Sequence, residues 1–108
     1  MSEGIRVVRR RDGHVLARAR GPRDVIELEG NYYFHPDGVD RQALRVSDRT
    51  YTCPAKGTCL WVDLEGDPVS IPDCAWVYPR PKPPYRRIAG WYGFYPEHPH
   101  YEIRRDPS

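Results

Sequence analysis

Twelve prolines and nine glycines are scattered along 108 residues, and they leave mostly short runs of chain between them. Proline has no backbone N–H to give to a ladder, so it is confined to strand ends, edges and turns. Glycine supplies the backbone conformations that tight turns need. A chain cut this often favours many short strands over long helices. The residues between the breaks agree. Ile5-Arg6-Val7-Val8 and the run from His14 to Ala19 flank Arg11-Asp12-Gly13, which reads as a β-hairpin closed by Asp-Gly. Asp24 to Leu28 alternates apolar and charged residues, as a half-exposed strand does. Tyr32-Tyr33-Phe34, Thr58 to Leu64, Val69 to Ile71 and Cys74 to Tyr78 read as further strands, with Glu65-Gly66-Asp67-Pro68 as a turn. Gly90 to Tyr95 and His100 to Arg104 read as a last pair. Val39 to Val46 is the one candidate for a helical turn. The expectation is an all-β sandwich or barrel-like fold with at most one short helical turn.

Composition narrows the class. The length suits one domain over residues 1–108, with the final residues, 105–108, expected to fray. Hydrophobic residues make up 39%, a low share that three Trp, eight Tyr and two Phe offset with large buried areas. No apolar run approaches the ~20 residues of a membrane span, and no charged-then-apolar leader opens the sequence. These features point to a cytoplasmic protein without a membrane partner. Cys53, Cys59 and Cys74 are an odd number without Cys-x-x-Cys spacing. That argues against a disulfide framework and against structural zinc, so no cofactor or metal is called for. The net charge of +2 argues against nucleic acid as a partner. Arg6, Arg9, Arg10, Arg11, Arg18, Arg20 and Arg23 nevertheless crowd the first quarter, which keeps an adaptor for nucleic acid or protein as one alternative.

The chemistry concentrates in Thr50-Tyr51-Thr52-Cys53-Pro54-Ala55-Lys56-Gly57-Thr58, followed by Trp61 and by Asp73-Cys74-Ala75-Trp76-Val77-Tyr78. Lys56 and Lys82 are the two lysines in a chain whose other cations are arginines. An ammonium is a compact charge with an adjustable pKa, which makes Lys56 a candidate anion contact. Pro54 to Gly57 is also ordinary turn chemistry, with Lys56 in solvent. Cys53 reads either as a small buried hydrophobe or as a thiolate activated by Lys56. Asp73 is a turn acceptor, a partner for Lys56 or an arginine, or a general base. His35 is a further proton carrier beside the aromatic strand.

The segments Tyr32-Tyr33-Phe34, Pro36, Val39, Thr50 to Gly57, Trp61, Asp73, Ala75-Trp76, Tyr78-Pro79-Arg80-Pro81, Ile88-Ala89-Gly90 and Phe94-Tyr95 resemble the bacterial domain-of-unknown-function family 427. The resemblance spans nearly the whole chain, with the Cys-Pro-x-Lys-Gly segment as its most distinctive part. It implies a β-tent, two small antiparallel sheets leaning together, as in methionine-R-sulfoxide reductases and the drug-binding domain of cereblon. His35 before Pro36 and the cysteines at 59 and 74 depart from the family pattern. The family label sometimes mentions nucleotidyl transfer. That chemistry needs clustered carboxylates for Mg²⁺, and Asp63-Leu64-Glu65 and Glu27-Leu28-Glu29 have only the alternation of a strand's outer face.

Two expectations follow for the site. The first is a small polar or anionic ligand in a pocket between the two sheets, bound by Tyr33, Lys56, Gly57, Trp61, Trp76 and Tyr78. The second is an enzyme with Cys53 as nucleophile or redox thiol, Lys56 as activator and Asp73 or His35 as proton carrier. Oligomeric state is not legible in these residues.

Overall fold

The computed structural model describes residues 4–66 and 69–105. Among the described residues, ten strands make two antiparallel sheets. They are β1 (Ile5–Arg9), β2 (Val15–Ala19), β3 (Val25–Leu28), β4 (Asn31–Phe34), β5 (Leu44–Cys53), β6 (Gly57–Leu64), β7 (Ile71–Val77), β8 (Tyr92–Phe94), β9 (Glu97–His98) and β10 (Tyr101–Arg105). The small sheet runs β2-β1-β10-β9 and the large one β3-β4-β8-β7-β6-β5. Helical geometry among the described residues is limited to 3-10 turns at Pro36–Gly38 and Pro83–Ile88. The chain is therefore all-β, as the proline and glycine spacing predicts.

Side-chain alternation sends one face of the large sheet against the small sheet. Phe34, Leu44, Val62, Leu64, Ala75, Val77 and Phe94 pack with Ile5, Val7, Leu16, Ala17 and Tyr101 in one buried cluster. Each Val, Leu, Ile or Phe among them contributes roughly 1.5–3 kcal/mol when fully buried. Tyr101 ties the sheets together. Its hydroxyl donates to the Cys74 carbonyl at 2.6 Å and accepts the Tyr95 N–H at 3.1 Å. Its ring stacks on His98 and meets Phe94 edge-on.

Three local expectations change. Val39 to Val46 keeps only a single turn: Val39 bridges to Ala17, the Asp40 carboxylate accepts the N–H groups of Gln42 and Ala43, the Asp40 carbonyl accepts those of Ala43 and Leu44, and Leu44 opens β5. An Asp in this place caps a first helical turn, and the turn stops there because Leu44 enters the ladder opposite Leu64. The two strands expected over Val69 to Tyr78 are one strand, β7, with a bulge where Val62 pairs Ala75 and Leu64 pairs Ile71. Asp73 sits in that bulge at φ 59°. The expected last pair is split, because β8 lies between β4 and β7 while β10 lies between β1 and β9. Of the turn expected at 65–68, Asp67 and Pro68 lie outside the described residues. Arg105 closes β10 opposite Ile5, and residues 106–108 lie outside them too.

Tyr101→Phe removes a buried hydroxyl that serves both a carbonyl and an amide. It is expected to lower unfolding free energy by about 1–3 kcal/mol in urea titrations. Unchanged stability would contradict this hydroxyl's role in joining the sheets.

Candidate functional site

The second face of the large sheet carries rings. Tyr33 on β4 pairs across to Gly93 on β8, Gly93 to Trp76 on β7, and Trp76 to Trp61 on β6. These positions share one face because they stand in one rank across the pleat. Gly93 is the gap in the rank. A Cβ there would lie 2.5 Å from Trp76 Cε2 and 2.9 Å from Tyr33 Cε2, so the missing side chain is what lets the indole lie across β8. Trp76 is the hub: it meets Tyr33 edge-on at 6.0 Å, Trp61 at 6.3 Å and Tyr95 at 4.7 Å. Its Nε1–H donates to the Tyr33 hydroxyl at 3.1 Å. Edge-to-face contacts of this kind are worth about 0.5–1.5 kcal/mol each beyond burial.

A hollow of about 170 Å³ opens over this rank, lined by Asn31, Tyr33, Tyr51, Lys56, Cys59, Trp61, Trp76, Tyr78 and Tyr95. It brings together Tyr33, Lys56, Trp61, Trp76 and Tyr78 of the expected set. Its position corrects the expectation: it lies on the outer face of the large sheet, because the space between the sheets is filled by the main core. Asn31, Tyr51, Cys59 and Tyr95 are additions. The alternation of Tyr33, Cys59 and Trp61 along their strands was the available signal for a shared face. Tyr95 lies past the end of β8, where strand alternation no longer assigns a face.

Gly57 does not line the hollow. It adopts φ 110°, and Arg80 to Lys82 run beside it, with a Cβ placed 3.6 Å from the Arg80 carbonyl. The whole Pro54–Gly57 turn is clasped by that segment. The Lys82 N–H donates to the Lys56 carbonyl at 2.7 Å, and Lys82 Nζ donates to the Pro54 carbonyl at 2.6 Å. Gly57 therefore serves turn conformation and packing.

Lys56 is a largely covered cation with a resident partner. Its ammonium donates to Glu29 and stands 5.0 Å over the Tyr85 ring, whose hydroxyl donates to the same carboxylate. That bond to Glu29 raises the Lys56 pKa, and the same bond holds Glu29 below the usual carboxylate range. Glu29 reaches this place from a turn at φ 54°. Burial pushes Tyr33, Cys59, Tyr78 and Tyr95 upward, so the walls are neutral at ordinary pH.

The expected catalytic set is only partly assembled: Cys53 lies within reach of the Lys56 charge, whereas Asp73 and His35 are engaged elsewhere. Cys53 is half-buried at the end of β5 and does not line the hollow. Its thiol pKa is lowered first by the backbone N–H groups of Lys56 and Ala55, and only then by the Lys56 charge. Asp73 is not a partner for Lys56. It accepts from Arg49, which also reaches Asp63, and its own N–H donates to Asp63. His35 edges Trp91 and accepts the Asp37 N–H through Nδ1. Among the described residues, no hydrogen bond joins a histidine or carboxylate to Cys53, and no group of three or more His, Cys, Asp or Glu could hold a metal ion.

A family model described as Domain of unknown function (DUF427) matches residues 1–105. No curated protein matches the chain.

Two measurements check this account. In native protein, iodoacetamide should modify Cys53 ahead of the buried Cys59 and Cys74, with a rate inflection below the ordinary thiol value of ~8.5. Equal labelling of all three would refute the environments described. For the ion pair, the Glu29 term is present above its unfolded pKa and lost in acid, while the Lys56 term is present below its unfolded pKa and lost in base. The melting-temperature gap between wild type and Glu29→Gln should be widest from about pH 5 to 10 and close outside that window. A pH-independent gap would count against the pair.

Proposed function

This chain belongs to the family described as Domain of unknown function (DUF427), and from that premise we propose that it acts as a single-domain binding module for a small ring-shaped polar molecule. The ring occupies the hollow on the outer face of the large sheet. The observation that carries the reading is the rank Tyr33–Gly93–Trp76–Trp61, in which a glycine makes room for an indole and three rings share one concave face.

Size and charge select the ligand. Pockets for drug-sized molecules run to ~300–1,000 Å³, whereas a cavity near 150 Å³ suits one benzene-sized ring. At about 170 Å³ this hollow takes one planar ring. The Lys56 charge is balanced by Glu29 and the other walls are neutral, so the hollow itself favours an uncharged ring over an anion. Polar recognition falls to the Asn31 side-chain amide, the Lys56 ammonium and the Tyr33 hydroxyl. That hydroxyl accepts from Trp76 and has no protein acceptor for its own proton among the described residues. A ring carbonyl is the complementary group.

A second reading keeps Cys53 as a nucleophile or redox thiol, favoured by the two N–H groups that lower its pKa. It lacks a bonded proton carrier, so it ranks behind binding. The adaptor reading through the first hairpin is weakened because Arg9 pairs with Asp12 and Arg10 with Glu102. The three cysteines are free thiols, which fits a reducing cytoplasm.

Tryptophan fluorescence tests the proposal. Benzyl alcohol, indole and uridine are titrated into wild type and Trp61→Ala, a half-buried site whose truncation leaves the main core untouched. At least one ring should bind wild type saturably and raise its melting temperature, with affinity falling about tenfold in the variant. Absence of saturable binding by all three would sink the binding reading.

A further inference from the structure

The charges around the hollow are segregated. Residues 50–62 and 74–96, which supply all of its lining except Asn31 and Tyr33, contain Lys56, Arg80, Lys82, Arg86 and Arg87 and no Asp or Glu. Glu29 is the carboxylate that reaches the Lys56 side of the rim, and it is used by Lys56 and Tyr85. Lys82 is used by the Pro54 carbonyl. Arg80, Arg86 and Arg87 are exposed and, among the described residues, have no carboxylate partner. Arg9, Arg10, Arg45, Arg49 and Arg104 do have one.

The turn that carries Arg86 and Arg87 packs against residues that wall the hollow. The 3-10 turn Pro83–Ile88 packs Tyr85 and Ile88 into the same aromatic cluster as Tyr33, Cys59, Trp76 and Tyr78. Tyr85 faces the Lys56 ammonium that lines the hollow. Arg86 and Arg87 stand between those two anchors and face solvent, where Tyr85 and Ile88 face inward. A ring that fills about 170 Å³ leaves no room for a substituent inside, so any tail must leave over the rim. On the Lys56 side, Glu29 and Tyr85 stand next to the lining, and Tyr85 begins the stretch that carries Arg86 and Arg87.

We propose that the ligand of the hollow is a planar ring carrying an anionic tail, a phosphate or a carboxylate, and that the tail lies on Arg86 and Arg87 rather than on Lys56. The inference rests on the binding reading above and assigns the charge recognition to a segment that reading does not use. Guanidinium is suited to it, since its fork matches both anions in a bidentate way. Lys56 keeps a positioning role, held by Glu29 on one wall.

The test uses matched ligands on the full chain, read by tryptophan fluorescence. Benzyl alcohol is compared with phenylacetate and benzyl phosphate, and uridine with uridine 5′-monophosphate. In about 20 mM salt the best anionic member should bind about tenfold tighter than its neutral partner, an advantage mostly screened at about 0.5 M salt. Arg86→Gln/Arg87→Gln should erase that advantage while leaving the neutral rings bound as in wild type. A preference for benzyl phosphate over phenylacetate identifies the tail as phosphate, and the reverse identifies a carboxylate. Neutral rings that bind as tightly as charged ones overturn the proposal. So does an advantage that survives in the arginine variant and disappears in Lys56→Gln. If no ring binds, charged or neutral, the hollow reading fails first and takes the tail with it.

Discussion

The structure depends on the pleat of one six-stranded sheet being used on both sides. Phe34, Val62, Ala75, Val77 and Phe94 point to the small sheet, and their neighbours Tyr33, Trp61, Trp76 and Tyr78 point away from it. A sheet that exposed those rings singly would have no concavity. Here the missing side chain of Gly93 lets Trp76 lie down across β8, and Tyr33, Trp61 and Tyr95 then stand around it. A single absent methyl group thus links strand register to the shape of the outer face. Adding it would force either the indole or the β4–β8 pairing to move, because packed rings have little slack.

The Cys-Pro-Ala-Lys-Gly turn has a different job from the one its composition suggests. Its parts are mostly engaged with the rest of the protein: the carbonyls of Pro54 and Lys56 with Lys82, and the Lys56 ammonium with Glu29 and Tyr85. Gly57 provides a positive φ where the 80–82 segment passes. The turn, the proline-rich segment and the aromatic cluster form one unit on the same side of the large sheet. Positive charge that this unit does not consume internally stays on Arg80, Arg86 and Arg87, beside the hollow and not within it. On the proposed reading, recognition of a ring and recognition of a charge fall to separate elements. Burial of neutral rings and solvent exposure of guanidiniums each cost less than placing a naked charge among indoles.

Much of the fold was legible because it rests on local signals. The hairpin around Asp12-Gly13, the break at Gly30, the strand at Thr58 to Leu64 and the turn at Pro54 to Gly57 all follow from nearby residues. The failures share a cause. Asp40 caps a single turn that β5 cuts short, and Asp73 adopts a left-handed bulge that joins two expected strands. The assignment of β8 and β10 to different sheets depends on partners far away in sequence, which short-range alternation does not specify. In the site, the rings were identifiable as a set, whereas the partners of the charges were not. Glu29 lies 27 residues from Lys56, and Arg49 lies 24 from Asp73.

Residue order alone therefore determined the strand character of the chain, the position of its tight turns and the identity of the aromatic and cationic groups available for recognition. Period-two alternation and turn chemistry act over a few residues and need no knowledge of the whole. Tertiary structure decided which face each ring occupies relative to the second sheet, which carboxylate neutralises Lys56, and that Asp73 stands with Arg49 and Asp63 instead of with Cys53 and Lys56. Those outcomes depend on sheet order and loop closure, where small differences in packing select one long-range partner over another.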